Sequence, residues 1–150
     1  MKKIMMVCHG NICRSPMAEY VMKDYIRKKK VDEEIVVDSC GTSTEEIGNG
    51  IHQGTKKILE KHHIPYDNHR AKQVTQKDYD TFDVFYCMDD FNLQNMLRIF
   101  KGDPLKKIEM LIPNKNIADP WYTGDFEITY KDVVDGCKRR LSEIIADLDK

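Results

Sequence analysis

Apolar residues run unbroken from Ile4 to Val7 and lead into Cys8, with Lys2 and Lys3 directly before them. A continuous run of this length suits a strand covered on both faces, so a strand is predicted over Lys3 to Cys8. Beyond a polar gap, Ala18, Val21, Met22, Tyr25 and Ile26 recur at helical spacing. They predict a helix from Ser15 or Pro16 to about Lys30, and Pro16 supports the start because its fixed φ suits a first turn. The basic end, Arg27 to Lys30, is a solvated tail favoured by the helix dipole. Ile35 to Ser39 reads as the second strand. His52 to His62 reads as a helix with Ile51, Ile58 and Leu59 inward, and the adjacent His62 and His63 point apart at its end. Thr75 to Asp78 has the form of a capping box with a shorter acid, opening a brief helix through Tyr79. Asp83 to Met88 is a further buried strand. Leu93, Met96, Leu97 and Phe100 mark a helix that stops at Gly102. Lys107 to Ile112 is the last strand. A long helix from Tyr130 to Leu148 then presents Tyr130, Val133, Val134, Cys137, Leu141, Ile144, Ile145 and Leu148 as its core stripe.

Strand and helix alternate along the chain. That order predicts a single-domain, Rossmann-like α/β fold: a four-stranded parallel sheet with right-handed crossovers and helices on both faces. Ligands of such sheets sit outside the carboxyl ends of the strands, at the point where strand order reverses. Cys8, Ser39 and Asp89 all fall at predicted carboxyl ends, and the loop Ala118 to Tyr122 opens on the same side.

Composition narrows the partners more than the fold. The 150 residues suit one domain spanning 1–150. With 24 basic against 25 acidic residues, net charge is −1, so neither nucleic acid nor an anionic membrane is expected as a partner. No apolar run reaches the length of a membrane span, and Met1-Lys2-Lys3 leads into a strand rather than a signal peptide. Five cysteines, an odd number without disulfide-framework spacing, fit a reducing compartment, so a cytoplasmic protein is expected. The expected state is a monomer or weak homodimer.

The chemistry concentrates between the first strand and the first helix, in Val7-Cys8-His9-Gly10-Asn11-Ile12-Cys13-Arg14-Ser15-Pro16. Backbone N–H groups at a helix start lack internal partners and attract an oxyanion. Gly10 and Asn11 tolerate the left-handed backbone that turns successive N–H groups inward. Arg14 adds a planar fork able to hold two oxygens of a phosphate, and the same positive field favours the nucleophilic form of Cys8. Cys8, His9 and Cys13 could be read as metal ligands or ordinary thiols. A zinc site, however, takes four ligands in paired short spacings, and no second pair is present, so no metal is expected.

The Cys-x5-Arg-Ser-Pro run, followed by Met17-Ala18-Glu19, resembles the signature of the low-molecular-weight protein tyrosine phosphatases. The similarity continues through Asp38-Ser39, His69, Met88-Asp89 and Asp119-Pro120. It implies hydrolysis of phosphotyrosine and aryl phosphate monoesters on protein substrates through a phosphocysteine, without a cofactor. Cys8 is then the nucleophile, and the loop of His9, Gly10, Asn11, Ile12 and Cys13 with Arg14 holds the phosphate. Ser15 stabilises the departing thiolate. Asp119 gives a proton to the leaving oxygen and then activates water, with Pro120 stiffening its backbone. By the same resemblance Ser39 and His69, with Asn11 and Ser15, hydrogen-bond the loop into shape. Asp89 could compete as the acid, but it leaves a buried strand and is expected to orient Arg14.

Trp121 and Tyr122 would flank an incoming aromatic ring, and Ile12 would give it an apolar floor. Related protein-arginine phosphatases carry a threonine where Ile12 stands, which tips the choice toward phosphotyrosine. Where the family often has an aromatic wall, this chain has Glu45 beside Glu46, a departure that bears on substrate preference. Cys13, inside the loop, is a second cysteine that the resemblance carries and a candidate redox partner of Cys8. An arsenate reductase would need a further cysteine pair, a plain phosphate-binding module would need neither thiol nor rim acid, and a nucleotide kinase would need G-x4-G-K-[ST], which is absent.

Overall fold

The computed structural model describes residues 1–150. Strands β1 (Lys2–Cys8), β2 (Ile35–Gly41), β3 (Val84–Cys87) and β4 (Ile108–Met110) form one sheet in the order β2-β1-β3-β4. All three pairings are parallel. Helices α1 (Arg14–Lys28), α2 (Gln53–Lys61), α3 (Gln76–Thr81), α4 (Asp90–Ile99), α5 (Pro120–Thr123) and α6 (Phe126–Leu148) complete the chain.

The two-residue period of β1 divides the core. Ile4, Met6 and Cys8 point to one face, where they join Met17, Val21 and Met22 of α1 and Val133, Cys137 and Leu141 of α6. Met5 and Val7 point to the other, against Tyr79 of α3, Met96 of α4, and Phe85 and Cys87. Both faces of β1 are therefore dry, which explains its unbroken apolar sequence. The chain leaves β1 for β2 on one flank and returns to β3 on the other. Strand order thus reverses at β1, and Cys8 is its last residue.

Several boundaries differ from the sequence expectation. Helix α4 starts at Asp90, because Asp89 and Asn92 form a reciprocal capping box ahead of the apolar stripe. The last strand is reduced to Ile108–Met110 rather than Lys107 to Ile112, at the sheet edge where only β3 pairs with it. The long helix begins at Phe126 rather than Tyr130: Gly124, at φ 73°, ends α5, and Asp125 then caps α6 by accepting from the Ile128 N–H at 3.1 Å. Leu148, placed in the core stripe by periodicity, is 38% exposed as the last residue of α6. The predicted helix over His52 to His62 is Gln53–Lys61, with His52 and His62 as its caps. His62 and His63 are both exposed at the helix end, and His62 also stacks on Tyr130, with ring centroids 4.0 Å apart.

Candidate active site

The loop after β1 carries its carbonyls outward. The Cys8 carbonyl accepts from the Thr42 N–H at 3.0 Å, His9 from Ser43 N–H at 3.0 Å, and Ile12 from His52 N–H at 2.9 Å. The Asn11 carbonyl lies 2.8 Å from His69 Nε2, which must therefore be the protonated, donating nitrogen. The Cys13 carbonyl accepts from the Thr55 hydroxyl at 3.2 Å and from Met17 N–H. In a trans peptide N–H and C=O point in opposite directions. Five carbonyls tied outward therefore turn the N–H groups of His9, Gly10, Ile12, Cys13 and Arg14 toward the hollow above Cys8. The Asn11 N–H points at the Cys8 sulfur itself, at 3.3 Å. This is an anion cradle built by pulling on its outer side.

Asn11 holds the sharpest bend, at φ 60°. Its side chain is buried and fully used: Nδ2 donates to the Ser15 hydroxyl at 2.8 Å and the Ser39 hydroxyl at 3.1 Å, while Oδ1 accepts from Lys72 N–H at 3.0 Å. Ser39 donates onward to the carboxylate of Glu19 at 2.6 Å. Ser15 Oγ stands 3.0 Å from Cys8 Sγ and 3.3 Å from the Cys40 carbonyl, so its single hydroxyl hydrogen serves one or the other. Gly41 permits the close approach of the loop to β2, since a Cβ there would lie 2.6 Å from the His9 carbonyl oxygen.

Arg14 is buried at the start of α1. Its Nη1 donates to Asp89 Oδ2 at 2.6 Å and to the Ile117 carbonyl at 2.9 Å, and its Nη2 reaches Asp119 Oδ2 at 3.4 Å. Burial works against the guanidinium's charge, but Cys8, Asp89 and Asp119 act the other way and hold its pKa above the usual value. Both acids divide their oxygens. Asp89 Oδ1 caps α4 by accepting from Asn92 N–H at 2.8 Å while Oδ2 holds Arg14. Asp119 Oδ1 accepts from Trp121 N–H at 3.0 Å as the cap of α5 while Oδ2 faces Arg14. Each is thus set in direction by a helix start.

One hollow brings together Cys8, His9, Gly10, Ile12, Cys13 and Arg14 from the loop with Asp119, Trp121 and Tyr122 from the opposite rim. Asn11 and Ser15 stand behind its wall, Ser39 and His69 behind them, and Asp89 beside Arg14. Glu45 and Glu46 form the remaining side. Glu45 lies 3.3 Å from His9 Nε2, and Glu46 accepts from Asn49 Nδ2 at 2.6 Å while its stem covers Gly10. Cys8, although it lines the hollow, is buried. Burial pushes the Cys13 thiol up to about 12, with charge on Cys8 and Asp119 adding to the rise, so Cys13 is a neutral thiol at physiological pH.

Three contributors escaped the sequence reading. Glu19 receives Ser39 and Lys23 in an otherwise apolar stretch of α1, and a lone acid on a buried helix face was the available signal. His52 joins the loop to the opposite rim: its N–H binds Ile12, and its ring packs edge-on against Trp121 and stacks on Phe126, with centroids 5.6 and 5.3 Å away. The Ile117 carbonyl, as backbone, leaves no mark in a sequence.

The arrangement therefore offers inward N–H groups and a charged guanidinium around a thiol, with a carboxyl group facing them from the far rim. Comparison with known proteins agrees in both sequence and shape. A family model described as low molecular weight phosphotyrosine protein phosphatase matches residues 3–150. The chain is 41% identical over 153 residues to the low molecular weight phosphotyrosine protein phosphatase of Gallus gallus, covering 95% of each. It is 37% identical to the low molecular weight protein-tyrosine-phosphatase YfkJ of Bacillus subtilis, covering 96% of each. The crystal structure of the low molecular weight protein tyrosine phosphatase from Streptococcus pyogenes superposes with a TM-score of 0.89 at 42% identity, covering 95% of this chain and 93% of that one. With the match spanning almost the whole chain, the protein belongs to the low-molecular-weight phosphotyrosine protein phosphatases, a family of hydrolases.

Proposed function

We propose that Cys8 attacks the phosphorus of a phosphotyrosine side chain while the N–H groups of the loop and Arg14 hold the three non-bridging oxygens. The P–O bond to the tyrosyl oxygen breaks as Asp119 delivers a proton to it, leaving a phosphocysteine and free tyrosine. Water then attacks the phosphocysteine, Asp119 takes its proton, and the Cys8 sulfur departs stabilised by Ser15. Ile12 floors the aromatic ring, and Trp121 and Tyr122 flank it. Asn11, Ser39 and His69 maintain the loop's shape, and Asp89 aims Arg14. Phosphotyrosine-bearing proteins are the substrates, met in the cytoplasm by a monomer or weak homodimer.

The observation that carries this reading is the outward tethering of five loop carbonyls around Cys8, with Asp119 facing the same hollow. The test is a panel of phosphotyrosine, phosphoserine and phosphoarginine substrates, with chelator present throughout and arsenate plus thiol reductant as a separate arm. Hydrolysis confined to phosphotyrosine and aryl phosphates, with 32P trapped on Cys8 after rapid acid quench, is the expected result.

The same reading makes the loop redox-sensitive. Peroxide converts the Cys8 sulfur to a sulfenic acid, and the Cys13 thiol condenses with it to a disulfide, releasing water. Dithiothreitol then restores activity, whereas Cys13→Ser retains activity before oxidation but recovers poorly after it. Peptide mapping of the oxidised protein checks for the Cys8–Cys13 link.

A further inference from the structure

The mouth of the catalytic hollow has two flanks of opposite chemistry. On one, Glu45 and Glu46 present carboxylates. On the other, a second hollow of about 440 Å³ shares His9, Arg14, Asp119 and Tyr122 with the first and runs past Asp89 to Phe91 and Asn95. Its two rings are the most exposed aromatic side chains of the protein: Phe91 is 78% and Tyr122 82% open to solvent. A single exposed apolar residue carries no message. Two rings lining one hollow that opens into the catalytic one are a different matter.

Phe91 is held out deliberately by its surroundings. It is the second residue of α4, whose start is fixed by the Asp89–Asn92 capping box and by a hydrogen bond from Asp90 N–H to Asn116 Oδ1 at 2.8 Å. Asn92 and Met96 of the same helix are buried, so the helix cannot turn Phe91 inward without withdrawing them. The two carboxylates in the hollow, Asp89 and Asp119, are both turned toward Arg14 rather than toward the rings. The apolar surface of this hollow is that of the two rings, set among the polar side chains of His9, Asn92 and Asn95.

We propose that Phe91 and Tyr122 form a subsite for a large apolar side chain, aromatic or branched aliphatic, that lies close to the phosphotyrosine in the substrate protein. The proposal rests on the catalytic reading above. A phosphotyrosine seated on the loop brings its backbone out at the rim. An extended chain advances about 3.3 to 3.6 Å per residue, so residues one to three positions away lie over the flanks of the mouth. One flank repels acidic neighbours, while the flank continuous with the acid rim offers two rings.

The test uses phosphotyrosine peptides with neutral flanks, in which Phe, Leu or Ala is placed one, two or three residues to either side. kcat/KM is measured for the wild type, Phe91→Ala and Phe91→Leu, with p-nitrophenyl phosphate as a substrate too small to reach the subsite. The wild type should favour Phe or Leu over Ala at one of these positions by roughly tenfold, the usual discrimination by an apolar pocket. Phe91→Ala should abolish that preference while leaving p-nitrophenyl phosphate turnover within about twofold, and Phe91→Leu should retain part of it. An active wild type indifferent to the neighbouring residue would overturn the subsite alone. So would an equal loss on the small substrate, or a shift in sedimentation that assigns Phe91 to contact between copies. A wild type inert toward p-nitrophenyl phosphate would overturn the catalytic reading, and the subsite with it.

Discussion

The two sides of the cleft are built on different terms. The Cys8 to Ser15 loop is stitched by side chains and amides from β2, α2 and the segment around His69, and its Asn11, Arg14 and Ser15 are buried. The opposite rim is Asp119 and the four-residue helix that it caps, Pro120–Thr123, whose aromatic side chains are exposed. On the mechanism proposed above, the difference follows from the task of each side. Charge developing on three oxygens needs dipoles already in place, since any that had to reorient would add to the barrier. The proton donor instead meets a leaving group that arrives with a whole protein attached, so the rim must leave room for it.

The sharpest way to break the first side is Cys8→Ser, expected to lower kcat by at least about four orders of magnitude while vanadate still binds, read by calorimetry. Arg14→Lys follows, with a loss of roughly a thousandfold, because a point charge cannot replace the planar fork and leaves Asp89 poorly paired. Asp119→Asn tests the second side. It should cost about a hundredfold or more for phosphotyrosine and other aryl phosphates with poor leaving groups and far less for an activated aryl phosphate. A loss independent of leaving-group acidity would make the residue a helix cap only. Asn11→Ala should cost about 3 kcal/mol in urea unfolding, through strain at φ 60° and unpaired buried partners. Asn11→Gly should relieve the strain alone and recover a part. The smallest effect belongs to Glu45→Lys with Glu46→Lys: a two- to fivefold gain in kcat/KM for acidic phosphopeptides, lost as salt is raised.

The buried side was more legible in the sequence than the exposed one, because its key elements are local. Strand, loop, arginine and proline lie within 15 residues, and the apolar run before Cys8 announces a doubly covered strand. What joins the loop to the rest is not local. Ser39 and His69 were visible only through family resemblance, since a serine and a histidine carry no periodicity. Glu19 and His52 were missed because their roles depend on which segments the fold brings beside them. The rim was misread in outline as a plain loop: the pair Gly124-Asp125, a stop followed by a cap, marks both the end of α5 and the early start of α6. Leu148 is exposed because α6 runs on past the core, whose last covered residue on this helix is Ile145, and periodicity does not show where the core ends.

The outward tethers of the loop also determine how it can come apart. Their donors lie in Thr42, Ser43, His52, Thr55 and His69, so no short segment opens the cradle without detaching a long stretch of chain. The loop thus belongs to the last cooperative unit to unfold, and the backbone amides that tether it, those of Thr42, Ser43 and His52, should exchange with solvent deuterium only at the rate of the global transition. Binding an oxyanion then orders nothing that was loose. Its free energy passes undiminished to the whole molecule, about 2.7 kcal/mol at a hundredfold excess over Kd, and it raises the melting temperature of every element together.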